Sequence, residues 1–561
     1  MREPAERAPE TIGLRDHSQT NEYRIFGPPG TGKTRSATCH INRSVDRLGS
    51  NSVMATSFTR AAAIELTGRD ALIDPDRIGT LHSFCFQALG KPQIAEANVG
   101  EWNRENPRLW ITPVSRDRSL AGEDSNSYED PVQKVGDRLL QQLNCCRGRM
   151  LPLENWPVGV RDFTSRWNRY KIANDLLDFS DLIDTALHDS ELAPNKPAVI
   201  IADEAQDLNS MQLSLLRKWG RHADHSVLAG DDDQTIYSWA GASPDAMLDP
   251  DIPADHKIFL KQSQRVPRAI HAVAERLIRQ VSRRQEKTYL SRPEDGRVHR
   301  LSSGGYRSPE YGILKTAENH LAQGKSIMFL ASCSYMLRPL LAALRKNGIP
   351  FHNPYRKANG FWNPLRLGSA GSAARRILSL LGAHPGWAVT QRSWECRELL
   401  SWTEWLAPHE LLRAGGRDLL LSDLRAPASI ELLAEVFESN ALESLLAACA
   451  QGYPALLRWW RSHLAAGFQA RTAFPAGVAL QRGAHGLVDD PSVVVGTIHS
   501  VKGGQADVVY LFPDLSKAAD AQYRQCGPPR DSVIRTFYVG VTRARETLYI
   551  CSAEGAAALS I

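Results

Sequence analysis

The nine cysteines of this 561-residue chain include no C-x-x-C pair, and the adjacent Cys145 and Cys146 are badly placed for one metal. That absence excludes the usual zinc-site and disulfide-framework classes, so the thiols are read as reduced and the protein as cytoplasmic. No apolar run is long enough to cross a bilayer, and Met1-Arg2-Glu3-Pro4-Ala5-Glu6-Arg7 is charged where a secretory leader would be apolar. A membrane partner is therefore not expected. An excess of one charge is lacking too: +5 over this length permits a polyanionic partner without demanding one, because a basic groove can sit inside a balanced total. What remains is ordinary globular composition, 42% hydrophobic and 23% charged, in a chain too long for a single core.

What the sequence does hold begins with Gly27-Pro28-Pro29-Gly30-Thr31-Gly32-Lys33-Thr34. The β-prone Tyr23-Arg24-Ile25-Phe26 precedes it, and no proline follows until Pro75, so the context is strand, glycine-rich loop, helix. Backbone N–H groups of such a loop and the helix N-terminus converge on an anion. Lys33 is expected to reach the β- and γ-phosphates, and the Thr34 hydroxyl to hold Mg²⁺.

Polar clusters follow several further strand-like runs. Val53–Ser57 leads into Phe58-Thr59-Arg60, where Phe58 can stack on a base while Thr59 and Arg60 meet phosphate. Gly79-Thr80-Leu81-His82-Ser83 repeats the arrangement; His82 reads either as ligand-facing or as a buried structural histidine. Pro197–Ala202 is a buried parallel strand ending in Asp203-Glu204, with Asp203 expected to coordinate Mg²⁺ through water and Glu204 to orient and deprotonate an attacking water. Ser226–Gly230 ends in Asp231-Asp232-Asp233-Gln234, and Tyr237 and Trp239 lie just beyond. There Gln234 can sense a γ-phosphate, and the same loop can touch a stacked base.

The blocks GPPGTGKT, SFTRAAAIEL, GTLHSFC, IIADEAQD and GDDDQTIYSW, with QSQR at 262–265, VGTIHSVKG at 495–503 and YVGVTRA at 538–544, occur in one order. The set resembles the UvrD/Rep/PcrA group of superfamily 1 DNA helicases. The resemblance implies an α/β fold of two RecA-like parallel-sheet domains, ATP and Mg²⁺ between them, and Arg265 and Arg543 gripping the γ-phosphate from the second domain. It also implies Thr497, His499 and Lys502 on the DNA backbone, with Trp239 and Phe58 stacking bases. Gly27 through Thr34, with Arg35 and Gln505, complete the expected nucleotide contacts. The partners implied are single-stranded DNA, single-strand/duplex junctions and replication or repair proteins, with the chain acting as a monomer. Movement would run 3′ to 5′, coupled to unwinding.

Three positions depart from the pattern. Gln264 stands where an adenine-stacking tyrosine is usual, Gln505 where a ribose-binding glutamate is usual, and Ala240 where an arginine follows the aromatic. Gln264 and Gln505 touch base selectivity, and Ala240 the link between nucleotide and DNA.

The expected organisation is an N-terminal arm (1–21), a first RecA-like domain (22–90 and 172–257) with an inserted subdomain (91–171), and a second (258–369 and 475–561) with a reduced helical insertion (370–474). In the first insertion Arg147, Arg149, Arg166, Arg169 and Lys171 read as a solvated helical face; after it, 176–183 reads as an amphipathic helix returning the chain to the core. In the second, Trp402, Trp405, Trp459 and Trp460 read as helical core. The ten residues after Cys551 are expected to hold no appended nuclease domain. Two other readings stay open: a translocase that strips proteins from DNA without unwinding, and a phosphate-loop ATPase acting as adaptor or remodeller.

Overall fold

The computed structural model describes residues 21–58, 72–114, 134–356, 362–365, 372–382, 393–407 and 409–561. The chain forms two compact units, one holding residues up to Arg300 with Leu330–Ser334 and Thr497–Ile561, the other Leu301–Phe329 with Tyr335–Gly496.

The first unit is built on parallel strands β1 (Glu22–Phe26), β2 (Val53–Ser57), β3 (Ile78–Gly79), β4 (Val199–Asp203), β5 (His225–Gly230) and β6 (Lys257–Phe259), in the order β3-β2-β4-β5-β1-β6. Alternation along the strands explains why both faces are buried. Ile25, Ala55, Ile201 and Val227 face Ala37 and Ile41 of helix α1 (Lys33–Leu48). Phe26, Met54, Ile200 and Leu228 belong to a second cluster, with Leu81 and Phe84 of α2 (Leu81–Ala88) and residues of later helices. Polar residues interrupt the apolar pattern in several strands, Arg24 of β1 among them. Arg24 is fully buried, and its guanidinium bonds Glu22 Oε1 (2.7 Å) and the carbonyls of Met247 (2.9 Å), Asp249 (3.1 Å) and Pro250 (2.8 Å).

Helices α3 (Val135–Gly148) and α4 (Val158–Ala173) pack around Trp102, Phe163 and Trp167, with Trp102 and Trp167 edge to face at 5.1 Å. Their basic residues do not form one solvated face. Arg166 and Arg169 are exposed, but Lys171 Nζ lies 2.6 Å from Asp178 and Arg147 Nη1 2.8 Å from Asp181. The stretch 176–183 is not one helix either. Leu176–Leu177 pairs with Gln93–Ile94, and α5 (Phe179–Asp189) starts only where Asp178 and Asp181 cap each other's backbone N–H groups. A reciprocal acidic cap ends the strand because it satisfies the first-turn donors.

Helix α6 (Ser210–Gly220) completes the layer beside β4 and β5. The sequence pattern opens the second domain at Ile258, yet Ile258 and Phe259 pair with Ile25 and Phe26 as the edge of the first sheet. Next come β7 (Gln262–Pro267), α7 (Arg268–Ile278), β8 (Leu290–Arg292), parallel to β7, and β9 (Arg297–Arg300). In the C-terminal segment, β10 (Ala506–Leu511), α8 (Pro528–Val541) and β11 (Ala544–Ile550) follow, with β9-β11-β10 all parallel. The α/β class, on parallel strands, is therefore what forms.

The second unit is largely helical around Trp402, Trp405, Trp459 and Trp460, all buried, as their spacing predicts. Trp460 Nε1 donates to the Trp402 carbonyl at 2.9 Å. Among the described residues no helix is long and apolar enough to cross a membrane.

Candidate nucleotide site and the aromatic cluster beside it

The glycine-rich loop runs from β1 into α1. Gly30 and Gly32 have φ of 74° and 85°, a region costly for side-chain-bearing residues. Lys33 folds back across the loop, so close that a Cβ on Gly27 would lie 2.0 Å from its Cγ. Helix α1 has neither a side-chain cap nor an acidic residue in its first turn, which leaves its N–H groups to an anion.

At the tip of β4, Glu204 adopts φ 53°, and its Oε1 sits 3.7 Å from Lys33 Nζ. Burial pushes the Glu204 carboxyl up, but Lys33, Lys502, Gln206 and Arg543 together hold it down at about 2. Asp203 goes the other way. Burial first, and then Glu204, push it up to about 7. Lys33 and the neighbouring Thr34 hydroxyl oppose that rise, and the Asp203 Oδ2 is buried without a hydrogen-bond partner.

Arg265, on β7, packs against the loop, its Cβ 2.4 Å from where a Gly30 Cβ would stand. Ser263 Oγ donates to the Pro29 carbonyl at 2.8 Å, and Gln264 N to the Gly30 carbonyl at 2.8 Å. Arg265 Nε donates to Gln505 Oε1 at 2.9 Å, which brings together two of the sequence-predicted nucleotide residues. Gln264 is itself exposed. Arg543, ahead of β11, is 1% exposed and donates from Nη2 to Gln234 Oε1 at 3.2 Å, with Nε on the Val539 carbonyl at 2.9 Å. Arg35 is an exposed residue of α1.

Beyond Gln234 the aromatics gather. Phe58 stacks on Tyr237 at 5.5 Å and 24°, and Tyr237 meets Trp239 edge-on at 5.9 Å. Phe58 and Trp239 are half-buried, and Tyr237 sits between them. Lys502 Nζ lies 5.1 Å over the Tyr237 ring. Its charge is already engaged, 2.5 Å from both oxygens of Asp207 and 2.9 Å from the Gln234 carbonyl. His499 is 6.3 Å from Tyr237, and burial drops it to about 4, so its ring is neutral. Thr497 is spent locally, its Oγ1 accepting from Ser500 N at 3.3 Å. Thr80 caps α2 by accepting from Ser83 N at 3.2 Å, and His82 packs edge-on to Phe179 with burial lowering it to about 4. Thr59 and Arg60 lie outside the described residues.

Sequence reasoning missed three contributors. Gln206 bridges the two strand tips, donating to Glu204 and accepting from Asp231 N at 3.0 Å. Arg149, from the end of α3, donates to the Ser238 carbonyl beside Ala240. Lys287 ion-pairs with the three aspartates after β5. Only the last had a signal: three consecutive acids behind an apolar strand require buried cations.

A phosphate loop with one arginine packed on it from a strand outside its own sheet, and a second arginine, ahead of β11, bonded to Gln234, places the molecule in the class of P-loop NTPases. Residues 15–252 match the model of the UvrD/REP helicase N-terminal domain, and residues 492–551 that of the UvrD-like helicase C-terminal domain. Together the two matches take in just over half of the chain, and the chain belongs to the UvrD/Rep helicase family. Among its relatives is the ATP-dependent DNA helicase PcrA of Staphylococcus aureus, 26% identical over 330 residues, 55% of this chain and 45% of that protein. PcrA of Staphylococcus epidermidis is 25% identical over 358 residues (58% and 48%), and YjcD of Bacillus subtilis 25% over 299 (49% and 38%). The chain thus spans less than half the length of these curated relatives.

Proposed function

We propose that the protein is an ATP-driven motor that moves 3′ to 5′ along single-stranded DNA and separates duplex ahead of it. The observation that carries this reading is the Arg543–Gln234 hydrogen bond. It joins the segment ahead of β11 to the loop that, three and five residues later, presents Tyr237 and Trp239. A change at the γ-phosphate is thereby a change at the base-stacking cluster. The two PcrA proteins named above are ATP-dependent DNA helicases, which agrees with this assignment.

Bound ATP would supply the phosphoryl group, and Mg²⁺ would neutralise charge on its oxygens. The residues present fit the metal: a buried carboxylate oxygen without a partner, next to a hydroxyl, is the donor pair Mg²⁺ takes while keeping most of its waters. Among the described residues no group of three or more His, Cys, Asp or Glu side chains gathers to hold a metal, consistent with that few-ligand mode. Lys33 then binds the β- and γ-phosphates. Glu204, ionised at neutral pH, orients the attacking water and accepts its proton. Gln234 senses the γ-phosphate, and Arg265 and Arg543 stabilise the transition-state charge, for which arginines of this kind supply about 10³–10⁵ in rate. Gln505, bonded to Arg265, would contact the ribose. Phe58, Tyr237 and Trp239 form the stacking surface for bases. His499, 6.3 Å from the Tyr237 ring, and Lys502, whose Nζ lies 5.1 Å over it, support that surface, and Thr80, His82 and Thr497 would meet the strand backbone.

The test is ATP hydrolysis with and without single-stranded DNA, followed by unwinding of duplexes with a 3′ or a 5′ tail. Stimulation by DNA and unwinding of the 3′-tailed duplex alone are expected. Stimulation without unwinding would replace the helicase with a protein-stripping translocase, and no stimulation by any nucleic acid would favour an adaptor ATPase.

A further inference from the structure

Asp231, Asp232 and Asp233 follow β5 in succession, and all three are buried, with at most 1% exposure. Three carboxylates out of water are tolerated only with cations and hydrogen bonds around them. Both cations come from one short segment between α7 and β8. Lys287 Nζ lies 3.1 Å from Asp231 Oδ1 and 2.9 Å from Asp233 Oδ2, and it also pairs with Asp232. Arg284 forks onto Asp233, Nε to Oδ1 at 2.9 Å and Nη2 to Oδ2 at 2.6 Å. Two positive groups against three negative ones leave a surplus, and burial pushes Asp232 up to about 6.

The arrangement continues toward the nucleotide loop. With Oδ1 of Asp231 taken by Lys287, Oδ2 accepts from Gln234 Nε2 at 2.7 Å. A glutamine amide has one donating and one accepting end, so this bond turns Gln234 Oε1 outward, where Arg543 Nη2 meets it at 3.2 Å. Were the amide reversed, its N–H groups would face the guanidinium and the contact would be lost.

We infer that Lys287 is a positioning residue for nucleotide hydrolysis: by holding Asp231 it fixes which end of the Gln234 amide faces Arg543. The segment that carries Lys287 runs directly into β8, whose Leu290 pairs with Gln262 on the Arg265 strand. One segment therefore orients the Gln234 side chain and braces the strand that carries the other arginine. This inference rests on the hydrolytic reading above.

Asp231→Asn preserves volume but leaves one acceptor oxygen where two now serve three donors, Lys287 Nζ and Asp233 N on Oδ1 and Gln234 Nε2 on Oδ2, so the bonding on one side must fail. Asp232→Asn removes a charge from the same cluster without touching Gln234. The experiment measures kcat and KM of DNA-stimulated ATP hydrolysis, single-strand affinity and Tm for both variants. Asp231→Asn is expected to lower kcat by about 100-fold, the scale of a small misplacement at a reacting centre, with KM and strand affinity unchanged. Asp232→Asn is expected to stay within about threefold of the parent. Equal losses in the two variants, or a folded Asp231→Asn with parental kcat, would overturn the inference. Should Asp231→Asn not fold, Lys287→Arg keeps the charge and shifts the donors; it too is expected to lose kcat at constant KM, and parental kcat there is equally decisive against. Failure of the unsubstituted protein to hydrolyse ATP with or without DNA would instead sink the functional reading itself, and this inference with it.

Discussion

Lys502 places its ammonium 2.5 Å from both carboxylate oxygens of Asp207 and 2.9 Å from the carbonyl of Gln234. A residue expected to meet DNA directly is thus committed to the protein's own interior, between the acidic strand tip and the loop that leads to the aromatics. Burial pushes Asp207 up to about 6 even with Lys502 opposing it. Lys502→Ala should therefore strand a buried carboxylate and cost about 3–5 kcal/mol of stability. Urea unfolding measures this, and Lys502→Ala with Asp207→Ala should recover most of the loss. A loss unchanged in the double variant would mean the pair is not what Lys502 stabilises.

Lys33→Ala should abolish ATP hydrolysis while leaving nucleotide-free binding of single-stranded DNA nearly intact, because the lysine lies over the phosphate loop and not at the aromatic cluster. Filter-binding or anisotropy with a labelled oligonucleotide checks the second half; loss of strand binding contradicts the assignment.

Gly30→Ala puts a methyl 2.4 Å from Arg265 Cβ, 2.9 Å from Ser263 Oγ and 3.0 Å from Arg265 N, at φ 74°. The left-handed backbone alone costs an alanine about 1–2 kcal/mol. The larger consequence is displacement of β7, so kcat should fall by about 100-fold. A steady-state hydrolysis assay on the folded variant decides; retained turnover would show that Arg265 need not sit against this loop.

Trp239→Ala should weaken single-strand affinity by roughly 1–3 kcal/mol, the worth of one stacked base. Affinity should also fall as salt rises, since phosphate contacts release counterions. Titrations at two salt concentrations separate these effects. Unchanged affinity together with unchanged DNA stimulation would return Trp239 to a packing role.

Glu96 gives the pH prediction. Burial, and then Asp178, push its carboxyl up to about 8, while Phe179 N donates to Oε1 at 3.2 Å and Oε2 lacks a partner. The folded state therefore keeps a proton that the unfolded chain releases near 4.5. Stability from this group is full below about pH 4.5 and is lost as pH rises toward 8. Glu96→Gln should remove that slope. Its Tm should exceed the parent's at pH 8.5 and approach it at pH 5; parallel Tm-versus-pH curves would refute the assignment.

Much of the site is legible in the order of residues alone. Lys33 opens the helix after the glycine-rich loop, Glu204 and Gln234 follow strand tips that the apolar runs announce, and a parallel sheet brings those tips together. The departures at Gln264 and Gln505 are legible as well, and the Arg265–Gln505 bond gives one of them a partner. The side chains that turn inward are not. Lys171 and Arg147 look like any solvated basic residues in a one-dimensional pattern, because only the fold sets Asp178 and Asp181 beside them.

By itself, then, the sequence determined the order of strands and helices, the phosphate loop and the acidic tips, since these follow from local periodicity and from glycine and proline placement. Only tertiary structure decided that Lys502 faces Asp207 and that Lys287 reaches Asp231 from 56 residues away. Ion pairs of that kind depend on which distant groups share a desolvated space, and no spacing along the chain encodes that.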